Sequence, residues 1–210
     1  MPDSRAMDTQ DYLELVLATA QAGLTYSRDP FDIERFRVLQ DATAALLAQG
    51  DETLRGNLQA LVSGDVGYPT PKIDVRAFVC RDGEVLLVRE RTDGLWTLPG
   101  GWCDLGQSPR ECVEREVAEE TGLRCTALRL LALLDKKKHP HPRQIPHAYK
   151  AFFHCRIDGG GLLQETNETT GAGYFPLDAL PDLSLGRVLP DQIQLMARLA
   201  AQPAAPTLFD

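Results

Sequence analysis

The chain has 210 residues, is 43% hydrophobic and carries a formal charge of −8. That apolar content can bury a core and suits one domain or a domain with an extension. The acidic balance argues against a surface for duplex nucleic acid. No apolar run approaches the roughly 18 residues of a membrane span, and the first residues lack the charged and apolar regions of a secretion signal. The five scattered cysteines, without a C-x-x-C pair, argue against a disulfide framework or a zinc site. A cytoplasmic protein is expected, with neither membrane nor duplex nucleic acid as partner.

In chain order, "QDYLELVLATAQAGLTYS" spaces Leu13, Val16, Leu17 and Ala20 on one helical face. "DPFDIERFRVLQDATAALLAQG" opens with Asp29 as an N-cap and Pro30 at the first helical position, and closes on Gly50. "ETLRGNLQALVSG" suggests a third helix. Residues 1–66 thus read as an all-helical module, whose five arginines against eleven acids are wrong for a DNA-reading helix pair. The glycines and prolines of "GDVGYPTP" mark a boundary. A second domain is expected over 70–203, with a flexible tail at 204–210.

In that second domain, "KIDVRAFVC" alternates Ile73, Val75, Ala77 and Val79 as a half-buried strand, and "RDG" turns the chain into a second strand, "EVLLVRER". After "LWTLPGGW" come a glutamate-rich helix, strand-like "ALRLLALLD" and "HAYKAFFHCRI", a short strand at "AGYFPL" and a last helix at "PDQIQLMARLAA". The interleaving predicts an α/β fold of mixed α+β type, a mixed sheet sandwiched between helices.

The glutamate-rich helix has well-marked ends. Ser108, Pro109 and Glu111 fit a capping box with proline at the first helical position, and Gly122 is a typical closing residue. At about 100° per residue, Glu116, Glu119 and Glu120 share one arc beside Val113 and Val117, whereas Glu111 and Glu114 point toward solvent. Like charges at these spacings cost roughly 0.2–0.5 kcal/mol per pair. A solvated acidic face is one explanation. A hard divalent cation, which takes oxygen ligands, is the other.

The surrounding residues separate the two. From Gly101, "GWCDLGQSPRECVEREVAEETGL" resembles the box of the Nudix hydrolases, matching at Gly101, Arg115, Glu116, Val117, Glu119, Glu120, Gly122 and Leu123 and departing at Gln107, where the pattern has glutamate. The resemblance implies a Nudix-type α/β/α sandwich and a catalytic magnesium or manganese ion. It makes Glu116 and Glu120 the main metal ligands, Glu119 an additional or water-mediated one, and the Gly100 carbonyl a further candidate. Arg115 would orient the carboxylates. A general base from a later loop is also implied, with Glu168 of "LLQETNETTGAGYF" the candidate and Glu120 the alternative.

Outside the box, the helical start and "VRERTDGLWTLPGGW", "HPHP", "HAYKAFF" and "LSLGR" resemble a bacterial Nudix subgroup with an N-terminal helical domain, which implies a homodimer through those helices. Substrate-binding candidates are Arg76, Arg89, Arg91, His147 and Lys150. For the arginines at 89 and 91 a surface salt bridge is the competing role, and Lys136, Lys137 and Lys138 read as a solvated loop. Trp96 and Trp102 suit base stacking or, more commonly, buried packing. The implied reaction is hydrolysis of the pyrophosphate of a nucleoside diphosphate linked to another group, with CDP-choline and ADP-ribose the first candidates. Cleavage of nucleoside triphosphates and non-catalytic nucleotide sensing are the alternatives.

Overall fold

The computed structural model describes residues 8–48, 67–142 and 146–210. The suggested third helix, at 52–64, lies outside the described residues. The chain divides into two units, Met1–Thr70 and Pro71–Asp210. No helix among the described residues is long and apolar enough to cross a membrane.

The first unit contains α1 (Thr9–Tyr26) and α2 (Pro30–Leu47). Asp8 caps α1 by accepting from the Asp11 amide at 2.9 Å. Asp29 caps α2 through the amides of Phe31 and Asp32 at 2.9 and 3.1 Å. These carboxylates satisfy amides that lack a partner in the helix's first turn. The Phe36 ring sits against Gly23, where a Cβ would lie 2.5 Å from it. Leu17, Ala20, Thr43 and Ala44 are buried, while Tyr12, Leu15, Phe31 and Val38 are left exposed.

The second unit is built on two sheets. One runs in the order β1 (Lys72–Phe78), β6 (Ala148–Gly160), β5 (Leu123–Asp135), β8 (Leu208–Phe209). It is mixed: β1 and β8 lie parallel to β6 and β5 respectively, and β5 and β6 are antiparallel. The other joins β2 (Cys80–Arg81), β3 (Glu84–Glu90) and β4 (Trp96–Thr97), with β7 (Thr169–Pro176) on the far side of β3. Helix α3 (Pro109–Thr121) covers a core of Val75, Ala77, Leu86, Val113, Val117 and Ala151. Helix α4 (Pro190–Ala200) covers a second core of Phe78, Leu87, Leu131, Phe152, Ile193 and Met196. Leu86 and Leu87 serve opposite cores because neighbouring strand residues point to opposite faces. The expected mixed sheet between helices is the fold observed, preceded by helices.

Three details differ from the sequence reading. The strand at "AGYFPL" begins earlier, at Thr169, because it pairs with the whole of β3. Glu114 does not face solvent: its carboxylate accepts from the Ala127 amide at 2.8 Å, at a register shift in β5. The tail carries β8, and Asp210 accepts from the Asp135 amide at 2.6 Å.

Candidate active site

Helix α3 is positioned from both ends. Ser108 Oγ accepts from the Glu111 amide at 3.3 Å while the Glu111 carboxylate accepts from the Ser108 amide at 2.8 Å. Gly122 closes the helix in the left-handed region (φ 74°), where a Cβ would meet the Gly161 carbonyl at 2.6 Å. The strip carrying Val113 and Val117 is buried in the core, and Glu116 and Glu120 go under with it, 6% and 3% exposed.

The loop after β4 brings backbone to these carboxylates. It runs beside β1 through hydrogen bonds from the Ala77, Val75 and Cys103 amides to the carbonyls of Pro99, Gly101 and Ile73. The Gly100 amide then donates to Glu120 Oε2 at 2.8 Å. Only glycine fits there: φ is 140°, and a Cβ would lie 2.0 Å from the Val75 carbonyl oxygen.

Glu168 arrives from the turn before β7. The Thr166 hydroxyl accepts from the Glu168 and Thr169 amides at 3.2 and 3.1 Å, and the Thr169 hydroxyl donates to the Glu120 carbonyl at 3.0 Å. Carboxylate oxygens of Glu116, Glu120 and Glu168 thereby lie within 4.8 Å of one another. Burial raises the Glu120 carboxyl to about 8, Glu116 and Glu90 adding to the shift while Arg76 and the Gly100 amide oppose it. Burial also raises Glu116, with Arg115 opposing and Glu168 and Glu119 adding. Three oxygen donors, two of them buried and under-neutralised, fit a hard divalent cation such as magnesium or manganese.

These acids form one side of a cleft of about 440 Å³ whose other lining includes Arg76, Lys136 and Arg187. Arg76 is held bidentately by Asp74, through Nε at 2.7 Å and Nη2 at 3.3 Å, and Nη1 donates to the Leu98 carbonyl at 3.1 Å. Burial alone would raise the Asp74 carboxyl, but Arg76 and Lys150 hold it below the usual range. Arg187 lies 3.0 Å from both Glu90 and Asp93 and donates to Thr92 at 3.0 Å.

The candidates named from the sequence separate on this geometry. Glu116, Glu120, Glu168, Gly100, Arg76 and Arg115 all line the cleft. Glu119 stands outside the carboxylate trio, its side chain 52% exposed and paired to Arg115 at 2.5 Å, on the opposite flank of Glu116 from Glu120. Arg115 also reaches Glu116 at 3.0 Å, Asp104 at 2.9 Å and Gln107 at 3.0 Å. Arg89 is turned to the Gly94 carbonyl at 2.7 Å. Arg91 braces the Glu168 turn by donating to Glu165 at 2.8 Å and to the Thr166 and Asn167 carbonyls at 2.7 and 3.2 Å. His147 meets Asp135 at 2.8 Å, and Lys150 is fully buried against Asp74.

Sequence reasoning missed Arg187, Glu90 and Lys136. Lys136 is half-buried rather than solvated, since the Asp135 carboxylate accepts from the Lys137 amide at 2.9 Å and folds Lys136–Lys138 into a 3-10 turn. Trp102, which also lines the cleft, is 50% exposed, whereas Trp96 packs edge-on to Phe175 with ring centres 4.5 Å apart.

Comparison with known proteins adds five matches. Residues 70–199 match the NUDIX domain, and residues 8–61 match the family described as UDP-X-like, N-terminal oligomerisation domain. YjhB of Bacillus subtilis (strain 168), whose name proposes ADP-ribose pyrophosphatase activity, is 45% identical over 93% of both chains. An ADP-ribose pyrophosphatase structure from Streptococcus suis 89-1591 is 43% identical over 67% of this chain and all of its own (TM-score 0.62). The structure of a UDP-X diphosphatase is 32% identical over 95% of this chain and 96% of its own (TM-score 0.63).

Proposed function

The chain belongs to the Nudix hydrolases, and on that premise we propose that it is a divalent-metal-dependent pyrophosphatase for nucleoside diphosphates linked to another group. The products are a nucleoside monophosphate and a phosphorylated partner. One observation carries the reading: clustered carboxylates, two of them buried, and cationic side chains line a single cleft, Glu116, Glu120 and Glu168 with Arg76, Lys136 and Arg187. A diphosphate is a chain of negative charge that needs both, a cation held by the carboxylates for one phosphoryl group and guanidinium or ammonium groups for the next.

Glu116 and Glu120 are the metal ligands in this reading, with the Gly100 carbonyl a further candidate. A magnesium or manganese ion held there would supply positive charge to the diphosphate and make a nearby water more acidic. Glu168, the exposed member of the trio, is the proposed general base for an attacking water. Arg115 orients Glu116 and is itself steadied by Glu119, Asp104 and Gln107. Arg76, pinned by Asp74 above Lys150, is the first phosphate contact. Arg91 acts through the Glu168 turn and His147 through Asp135; Arg89, engaged at Gly94, is the weakest substrate candidate. The exposed Trp102 at the lip is available for base stacking. The N-terminal helices, with their exposed apolar residues, join two copies in a homodimer.

ADP-ribose is the first substrate to try, because YjhB and the Streptococcus suis enzyme carry that activity in their names. A UDP-linked substrate follows from the UDP-X diphosphatase, and CDP-choline from the sequence resemblance. The test is a panel of ADP-ribose, UDP-sugars, CDP-choline and nucleoside triphosphates, each with magnesium or manganese. Release of a nucleoside monophosphate from a diphosphate-linked compound is expected. Turnover of triphosphates alone would favour a pool-cleaning role, and no turnover with any compound would overturn the reading.

A further inference from the structure

We propose that residues 205–210 are a positioning segment for the cleft: docked along β5, they fix the turn that carries Lys136. Leu208 and Phe209 pair in parallel with Ala132 and Leu133. The Thr207 hydroxyl donates to the Leu130 carbonyl at 2.9 Å. One guanidinium, that of Arg129, donates to the carbonyls of Ala205 at 2.9 Å and Gln202 at 3.0 Å, and to that of Leu199, so the approach from α4 is tied to β5 as well.

The segment ends on the turn itself. Asp210 Oδ2 accepts from the Asp135 amide at 2.6 Å and lies 3.1 Å from His139 Nε2. It therefore clamps both flanks of Lys136–Lys138. Asp135 in turn accepts from the Lys137 amide at 2.9 Å and meets His147 at 2.8 Å. Between these fixed points the Lys136 side chain enters the cleft beside Asp74, Arg76 and Arg187. A lysine side chain has much rotamer freedom to lose on being placed, and a three-residue 3-10 turn has poor hydrogen-bond geometry of its own. Asp210 adds a hold from outside the turn.

The hold is mostly polar. Leu208 and Phe209 are exposed, 41% and 73%, so loosening the segment uncovers little core and its effect should appear in binding more than in melting. The inference rests on the reading that cleft cations meet the substrate's phosphates.

The experiment compares Asp210→Ala, Lys136→Met and the double variant in the full-length chain. Asp210→Ala should raise KM for the diphosphate substrate about three- to tenfold with kcat within about twofold, as Lys136→Met does. In the double variant the loss of Asp210 should add nothing, because coupled residues are not additive. Asp210→Asn, which keeps an acceptor oxygen, should fall between wild type and Asp210→Ala. Amide hydrogen exchange over 135–139 should quicken in Asp210→Ala while that of α3 is unchanged. Unchanged exchange at 135–139 overturns the clamp; equal KM effects with and without Lys136 overturn its action through that lysine. Affinity for inorganic pyrophosphate, measured by calorimetry, repeats the comparison without turnover. A protein that hydrolyses no diphosphate but binds pyrophosphate more weakly as Asp210→Ala keeps this proposal and sinks the functional one; a protein that turns over a diphosphate but shows unchanged affinity as Asp210→Ala sinks this proposal alone.

Discussion

Glu120 shows how one side chain is shaped by several elements. It stands in α3, its carboxylate receives the Gly100 amide from the β4 loop, and its carbonyl receives the Thr169 hydroxyl from β7. Glu120→Gln keeps the size and an acceptor for Gly100 but removes a group that can ionise toward a cation. The fold should survive, and turnover at saturating magnesium should fall at least about a hundredfold, the scale of losing one strong electrostatic contributor. Near-normal turnover would move the cation elsewhere. Gln107 makes a finer case. It accepts from Arg115 Nε at 3.0 Å, and Arg115 reaches Glu116 at 3.0 Å. Gln107→Glu turns that contact into an ion pair, draws Arg115 away from Glu116 and adds negative potential near the proposed cation. The magnesium concentration for half-maximal activity should drop a few-fold. An unchanged or higher requirement in a magnesium titration would show that Gln107 has no bearing on the metal.

At the scale of elements, α3 and the start of α4 test different forces. Ser108→Ala removes half of a reciprocal cap on α3, at a cost of about 1 kcal/mol; the melting temperature should drop by several degrees while kcat at high magnesium is retained. A loss of kcat matching the E120Q variant would mean that the cap itself sets the carboxylates. Near α4, His141 donates from Nδ1 to the Leu185 carbonyl at 2.7 Å, and its Nε2 accepts from Gln192 at 3.0 Å. Gln192 is not free to reverse, since its oxygen accepts from the Leu189 amide at 3.1 Å. A neutral ring satisfies every partner. Burial pushes the imidazole down to about 4, the Leu185 carbonyl opposing and Lys150, Lys136 and His139 adding to the shift. In the unfolded chain it takes up a proton below about 6.5. The neutral ring's contribution is thus complete above that pH and is lost as pH falls toward 4. Melting temperatures between pH 7 and 4.5 should fall more steeply for wild type than for His141→Gln, a difference in which the carboxylates common to both proteins cancel. Parallel slopes would refute the assignment.

For the whole molecule, the first unit matters through what it leaves uncovered. Tyr12, Leu15, Phe31 and Val38 are more than half exposed on α1 and α2, and residues 8–61 match an oligomerisation domain. Sedimentation of the full chain at micromolar concentration should show a dimer, and a chain starting after residue 66 should sediment as a monomer. A full-length monomer would remove the homodimer proposal.

Much of this was legible before any coordinates. Pattern periodicity marked α1, α2, β1 and β3, because helices and strands repeat apolar residues at their own local periods. The expected hairpin, however, is confined to β2 and β3, while β1 pairs with β6 in the other sheet. The capping box and Gly122 bounded α3, and the spacing from Gly101 to Leu123 identified the family, because a metal-binding helix needs its carboxylates at fixed offsets on a single chain segment. What the sequence left open lies between segments. Arg187, Glu90 and Lys136 converge on one cleft from three places in the chain, and no local period marks such residues. Glu119 and Glu116 look equivalent on a helical wheel, yet burial of one flank of α3 and the pull of Arg115 separate them. The same holds for residues 204–210, expected to be flexible: composition describes an exposed segment, but only the open edge of β5 and the position of the Asp135 amide decide that it docks. Local chemistry is written along the chain; which distant groups share a dielectric, a cation or a strand edge is settled by packing.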